Sequence, residues 1–396
     1  MTQTQDVATE LPRAHLRVLQ AVNTVSSLDR AAVAPMLLVM AASLSTSVGT
    51  VTIAASLYFL TYGLLQPVWG VVLARLGTIR TLQLALFGAA AAGLLSALSP
   101  GVVALVVLRG LAGGFFGGAV PATLVYVGAT VPIERRQQPL TDLMAGVAVG
   151  MALATVAAGW AAELVSWRLM FAVTAVAAGG LAFLIRRLPE PPRDEPERRP
   201  VRALVRAVKN RWVVLVLSLG FVEGAAITGT FTFIAPSVEH AAEAGAGIAG
   251  TVVAAYGVSV LAFSRVVRPL SARLSTPTLL LIGGTCGGLG FAVLAVWQGV
   301  LAGVVACVLI GAAWAFMHST LQTWATSVAP QARAQVVPLF AACLFLGGST
   351  GAALGGILAG HALYGTLFAV SAGLFVPLTL LSAVTRRRYL RTRRGR

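Results

Sequence analysis

Apolar residues fill this chain in long runs, and short polar gaps separate the runs. A helix needs about 20 predominantly apolar residues to cross a bilayer. Twelve runs reach that length, at approximately 17–41, 49–73, 79–98, 101–128, 140–162, 168–185, 212–236, 248–267, 276–297, 300–325, 336–359 and 365–384. The one long gap, at 186–211, divides them six and six. The pattern predicts an all-α integral membrane protein of twelve transmembrane helices in two six-helix bundles. Its expected parts are an N-terminal tail at 1–16, a first bundle at 17–185, a linker at 186–211, a second bundle at 212–385 and a basic tail at 386–396.

Orientation follows from the basic residues, which favour the cytoplasmic loops. Arg13, Arg75, Arg80, Arg135, Arg136, Arg265, Arg268, Arg273, Arg333, the 186–211 gap and the tail RRRYLRTRRGR all fall on one side. The other side keeps only Arg168. Both termini, the tails and the linker are therefore expected in the cytoplasm, and the chain in the cytoplasmic membrane. Within the linker, RRLPEPPRDEPERRP is charged and Pro-rich, whereas VRALVRAVKNR spaces apolar residues as a helix does, with basic residues between. That second part is expected to lie on the anionic inner leaflet as an interfacial helix.

Composition agrees with this class. Hydrophobic residues make up 57% of the 396 and charged residues only 11%, against about 25% charged in soluble domains. The 42 glycines suit helices packed closely in lipid. A net charge of +16 raises nucleic-acid binding as a possibility. The charges sit in gaps between apolar runs, however, so membrane lipids rather than nucleic acid are the expected contact. Cys286, Cys307 and Cys343 all lie in apolar runs without ligand spacing, so no metal and no cofactor is expected. The polar first fifteen residues, followed by a long run that contains charges, argue against a cleaved signal peptide. GGSTG at 347–351 fits the G-x-S-x-G pattern, but it lies inside an apolar helix and not at a strand-to-helix turn. GGTCGGLG at 283–290 has no following lysine and also falls within a span, so phosphate binding is not expected. No constellation for covalent catalysis is present, and an enzyme is not expected.

The halves repeat each other. RLMFAVTA at 168–175 resembles GTLFAVSA at 365–372, and at the same offset Gly150 and Gly159 fall on Gly347 and Gly356. Thr123-Leu124 falls on Thr320-Leu321 at that offset, and Arg75 and Arg80 fall on Arg268 and Arg273 at an offset of 193. Six spans return the chain to its starting side. The repeats are therefore parallel, related by a pseudo-two-fold axis along the membrane normal, with a transport site expected between the halves.

Several stretches resemble the major facilitator superfamily, and among its members the drug:proton antiporter branch. LDRAAVAPMLL in span 1 is similar to that branch's acid followed by proline. GVVLARLGTIR at 70–80 is similar to the superfamily's loop after span 2: Gly70, Arg75, Gly77 and Arg80 match or nearly match, while Ala74 stands where the Asp belongs. RGLAGG at 109–114 resembles the arginine motif of proton-coupled members, and SWRLMF at 166–171 the start of span 6. In span 5, GMALATVAAGW has Ala154-Thr155 where antiporters carry Gly-Pro. The resemblance implies a monomer working by alternating access, with spans 1, 4, 7 and 10 around a central cavity and spans 3, 6, 9 and 12 outside.

The polar residues follow that arrangement. Ionisable groups inside lipid are costly and mark functional positions. Span 1 holds Asn23, Asp29 and Arg30, span 4 Arg109, span 7 Glu223, and span 10 His318 and Gln322. A carboxylate in a cavity can hold either a proton or a substrate, and that competition couples two fluxes. Asp29 and Glu223 are the candidates for this step, with Arg109 tuning them. The competing reading makes Asp29 half of a fixed pair with Arg30 or Arg109, and Glu223 a partner of nearby threonines. Adjacent helix residues point about 100° apart, so Asp29 and Arg30 do not readily face each other. Asn23, Arg30, Trp314, His318 and Gln322 are candidates for the substrate cavity. The last three share one helix face at i, i+4 and i+8, which a packed interface would also explain. Gly70, Arg75, Gly77, Arg80 and Asp142 are candidates for a cytoplasmic gate, with Asp142 either capping its helix or meeting Arg75.

The expected activity is export of small amphipathic compounds in exchange for protons. The alternatives are a facilitator or symporter for a polar metabolite such as a sugar or organic anion, or a lipid-translocating or non-transporting protein of the same fold.

Overall fold

The computed structural model describes residues 11–132, 134–192 and 208–394. Helices are the only regular secondary structure among the described residues. Eleven are long and apolar enough to span a membrane: α1 (Arg13–Ser43), α3 (Thr78–Ala97), α4 (Val102–Thr130), α5 (Gln137–Leu164), α6 (Trp167–Arg187), α7 (Arg211–Ala242), α8 (Ala246–Arg273), α9 (Thr276–Val296), α10 (Val300–Val328), α11 (Gln335–Gly360) and α12 (Tyr364–Thr392). The twelfth, α2, consists of Val48–Leu64 and Gln66–Leu76 with a bend of 47° between them. Pro67 lies in the first turn after the bend. It lacks the N–H that would have continued the helix, which accounts for the break. Of the linker, the stretch expected to be an interfacial helix falls mostly within 193–207, outside the described residues.

Four helices are irregular at mid-length. In α1 the helix breaks after Ala31 and resumes through a 3₁₀ turn at Ala34–Met36 around Pro35. In α4 it breaks at Gly117-Gly118, while α7 and α10 carry π turns at Gly224–Gly229 and Trp314–His318. A π turn inserts one residue per turn and re-aims the side chains that follow it, which is why such turns gather at functional sites.

Lipid tails are as apolar as leucine, so close packing rather than water exclusion must hold membrane helices together. The repeated glycines do this in matching places. A Cβ at Gly150 of α5 would stand 2.4 Å from the Thr24 carbonyl oxygen of α1. At Gly347 of α11 it would stand 1.9 Å from that of Phe221 in α7. Neither distance is attainable, so these positions bring the backbones together within each half. Between the halves, α2 packs along α11 and α5 along α8. Large apolar side chains such as Val103, Val176, Val296 and Val376 point outward around the perimeter.

Candidate functional site

A chamber of about 1770 Å³ lies between the two halves. Its wall runs from mid-length of the helices to residues beside the chain termini, including Leu11, Arg13 and the α4–α5 connection at Pro132 and Glu134. The chamber therefore opens on the side where α1 begins and α12 ends. At the other end α5 and α8 close it. There Gly247 donates its backbone N–H to Glu163 Oε2 at 2.7 Å, and Trp160 Nε1 donates to Thr251 Oγ1 at 3.3 Å. Gly159 lies against the Ala246 carbonyl, and Gly250 against that of Thr155.

Asp29 and Arg109 are fully buried and form a two-pronged pair, Nη2 to Oδ2 at 2.6 Å and Nη1 to Oδ1 at 3.1 Å. Thr174 of α6 adds a hydroxyl to Asp29 Oδ1 at 3.0 Å, and Arg109 lies between the rings of Tyr58 and Phe171 at 4.8 and 4.4 Å. Neither member of the pair lines the chamber. Asn23 is also inside the first half, where it accepts a hydrogen bond from Thr123 Oγ1 at 2.9 Å and donates to the Leu143 carbonyl at 3.3 Å. It ties α1 to α4 and α5, and it too does not line the chamber.

Arg30 takes the other face of α1. The two neighbours diverge around the helix, so Asp29 enters the bundle and Arg30 enters the chamber. Its guanidinium lies 5.6 Å from the ring of Tyr62 and 5.4 Å from that of Phe345, and Nη2 reaches Met151 Sδ at 4.0 Å. Among the described residues no carboxylate lies within 4.0 Å of it.

In the second half, Glu223 of α7 meets His318 of α10, Oε2 to Nδ1 at 3.1 Å. Glu223 is fully buried, and its Oε1 has no hydrogen-bond partner. His318 covers it on the chamber side, stacked on Trp314 with ring centroids 3.8 Å apart. Trp314, His318 and Gln322 all line the chamber, as their common helix face allows. The π turn at Trp314–His318 sits directly under this stack.

The gate candidates are more dispersed. Arg75, Arg80 and Gly70 are exposed, and open space surrounds Gly70. Gly77 has φ 86°, a backbone only glycine adopts readily. Beyond it, the backbone N–H groups of Thr78 and Ile79 donate to Glu190 Oε1 and Oε2 at 2.5 and 3.1 Å. A carboxylate thus does neutralise this helix start, but it comes from the segment after α6 and not from position 74. Asp142 lines the chamber mouth, where its carbonyl accepts from Gln20 Nε2 at 2.8 Å, and it makes no ion pair with Arg75 among the described residues.

The sequence reading did not single out Tyr62, Phe345, Thr174, Glu163 or Glu190. For Thr174 a signal was present, because the repeat pairs it with Ser371, which is hydrogen-bonded to Thr230 at 2.7 Å.

Residues 21–350 match the Major Facilitator Superfamily. The chain belongs to this superfamily. It is 26% identical over 283 residues to Uncharacterized MFS-type transporter YfhI of Bacillus subtilis (strain 168), covering 70% of each protein. Solved facilitators share the fold. A bacterial homologue of the human lysosomal transporter Spinster, in an inward-facing and unoccupied conformation, superposes with a TM-score of 0.76 at 16% identity, over 97% of this chain and 99% of that one. The xylose transporter XylE from E. coli, inward open, gives 0.76 at 15%, over 93% and 95%. The nucleoside transporter NupG gives 0.73 at 15%, over 92% and 98%. This protein is a multi-pass membrane transporter of small molecules and not an enzyme.

Proposed function

We propose that this transporter exports small amphipathic compounds in exchange for protons, with Glu223 and His318 as its proton-carrying pair. One observation carries the reading: a buried acid and a base in hydrogen-bond contact, the base forming part of the chamber wall. A proton gained or lost there changes the charge facing the cargo, so proton and cargo compete for one state of the wall. Asp29 and Arg109, expected from the sequence to take part, act in this reading as a fixed brace that holds α1 to α4 and α6.

The arginine distribution supports both termini being cytoplasmic. The chamber then opens to the cytoplasm and is sealed at the outer end by α5 with α8 and α2 with α11. Residues 17–185 and 212–385 would rock as two units to reverse that access, as one monomer. The resemblance to drug:proton antiporters supports the direction of export. Ala154-Thr155 in place of Gly-Pro favours a second reading, symport of a polar metabolite.

The test is proton release from everted vesicles carrying an imposed gradient. Amphipathic anions and cations, sugars and organic acids are added in turn. Antiport predicts proton release with an amphipathic compound, abolished in Glu223→Gln and His318→Gln and retained in Asp29→Asn. Silence toward every amphipathic compound overturns the reading. Proton movement confined to sugars or small acids moves symport to first place.

A further inference from the structure

We infer that the cargo is an amphipathic organic anion, held with its acidic group against Arg30 and its apolar body among the chamber's aromatic side chains. This rests on the reading of the chamber as the transport site.

The charges expected at mid-depth balance in the sequence: Asp29 and Glu223 against Arg30 and Arg109. Folding removes that balance from the chamber. Asp29 and Arg109 cancel each other inside the first bundle. Glu223 is fully buried and His318 stands between it and the space. Asp29 is gripped at both oxygens by Arg109, Glu223 meets His318 through one oxygen, and neither acid lines the chamber. Arg30 is left facing the chamber, near the midpoint of α1, with no carboxylate partner among the described residues. A charge held at membrane depth without a counter-charge is costly, and such residues mark the path of something that compensates them.

The surroundings of Arg30 narrow the ligand further. Tyr62 and Phe345, themselves packed at 4.3 Å between centroids, hold its guanidinium from the side. An aromatic frame steadies a guanidinium without neutralising it, so its donor fork stays available to carboxylate, sulfonate or phosphate oxygens. Phe59, Phe231, Tyr256 and Trp314 continue the wall with apolar surface. The mouth repeats the sign: Arg13, Arg17, Arg135, Arg265 and Arg268 line it against Glu134 and Asp142. A mouth of one predominant sign raises the local concentration of ions of the opposite sign.

The experiment compares two probes with the same ring system and opposite, permanent charges, 2-naphthalenesulfonate and 2-naphthyltrimethylammonium. Binding to the purified full-length protein is measured by titration calorimetry without any proton gradient. The sulfonate is expected to bind at least tenfold more tightly than the ammonium. Arg30→Gln is expected to weaken the sulfonate at least tenfold, Arg30→Lys less. Arg30→Glu is expected to reverse the preference. Because Arg30 has no acid partner, these variants leave no buried carboxylate unpaired, and a monodisperse gel-filtration profile confirms folding. Equal binding of the two probes, tighter binding of the ammonium, no sulfonate binding at millimolar concentration, or unchanged sulfonate affinity in folded Arg30→Gln would each overturn the inference. Proton coupling is read separately: sulfonate binding that persists while vesicles show no proton release counts against antiport and leaves the anion site standing.

Discussion

Replacing Gly250 with alanine should push the protein out of the conformation seen here. An alanine Cβ at this position would lie 2.1 Å from the Thr155 carbonyl oxygen, 3.1 Å from its carbon and 3.3 Å from Pro35 Cβ. Short C···O contacts are about 3.3 Å, so α8 and α5 must separate by roughly 1 Å at their crossing. The obstacle is backbone on a neighbouring helix, which cannot rotate aside as a side chain would. Overpacking of this kind costs about 1–3 kcal/mol. The contact joins the two halves only at the end away from the termini. If that end parts during transport, the cost falls on one state of the cycle and is absent from the other. The equilibrium between them then moves by about 5- to 150-fold.

Spin labels can read that movement. Leu164 at the end of α5 and Val296 at the end of α9 are 71% and 89% exposed, one on each half, at the closed end. With Cys286, Cys307 and Cys343 replaced, labels at these two positions report the separation of the halves by double electron–electron resonance. Gly250→Ala should shift the distance distribution to longer values, and Gly159→Ala should do the same, its Cβ falling 2.3 Å from the Ala246 oxygen. An unchanged distribution in folded protein would refute the reasoning, because it would mean that the crossing yields locally or that the halves do not part there.

Four further outcomes follow from the same geometry. Asp29→Asn leaves the Arg109 guanidinium buried without its counter-charge and should cost about 3–5 kcal/mol, read as a lowered midpoint of thermal unfolding in detergent, with proton release kept in whatever protein remains folded. Glu163→Gln removes the charge at the start of α8, worth about 0.3–1 kcal/mol at a helix N-terminus, and should widen the Leu164–Val296 distances in the same sense as Gly250→Ala but by less; narrower distances would contradict this. His318→Gln should abolish proton release while keeping naphthalenesulfonate affinity within a few-fold by calorimetry, since Arg30 and not His318 holds the acidic group. Exchange of one monovalent anion outward for one proton inward moves two charge equivalents, so an imposed potential of 100 mV should drive it by roughly 5 kcal/mol, at about 2.3 kcal/mol per charge; potential-independent exchange in proteoliposomes would exclude that stoichiometry.

Much of this was legible in the sequence because bilayer thickness fixes helix length. The twelve runs became twelve spans, with α1 beginning at Arg13, a few residues before its apolar run. The face of each helix was harder to read. Asn23, Asp29 and Arg30 all looked like chamber residues from polarity alone, and only Arg30 is one. Polarity in lipid signals that a residue avoids the bilayer. It does not say whether it turns toward a water-filled space or toward a partner inside the bundle. Deciding that requires knowing that Arg109 and Thr174 stand opposite Asp29, which depends on how α4 and α6 pack and not on local periodicity. Glu190 escaped notice for a related reason: its partners are backbone N–H groups, which leave no trace in side-chain patterns.

The two buried acids meet differently built surroundings. Each half places an acid of its first helix against a base of its fourth, Asp29 on Arg109 and Glu223 on His318. The same position of each sixth helix, Thr174 and Ser371, carries a hydroxyl that meets the first helix of its half. In the first half the hydroxyl reaches the acid itself, and the base is an arginine with a two-pronged grip. Arginine stays charged at any physiological pH, and both members of that pair are fully buried. In the second half the hydroxyl goes to Thr230, one carboxylate oxygen of Glu223 stays unpartnered, and the base is a histidine on the chamber wall. Histidine is the side chain whose charge changes most readily near neutral pH. Each half thus holds one buried acid–base contact between its first and fourth helices. The proposed division into a brace and a proton-carrying pair rests on this difference, arginine in one pair and histidine in the other.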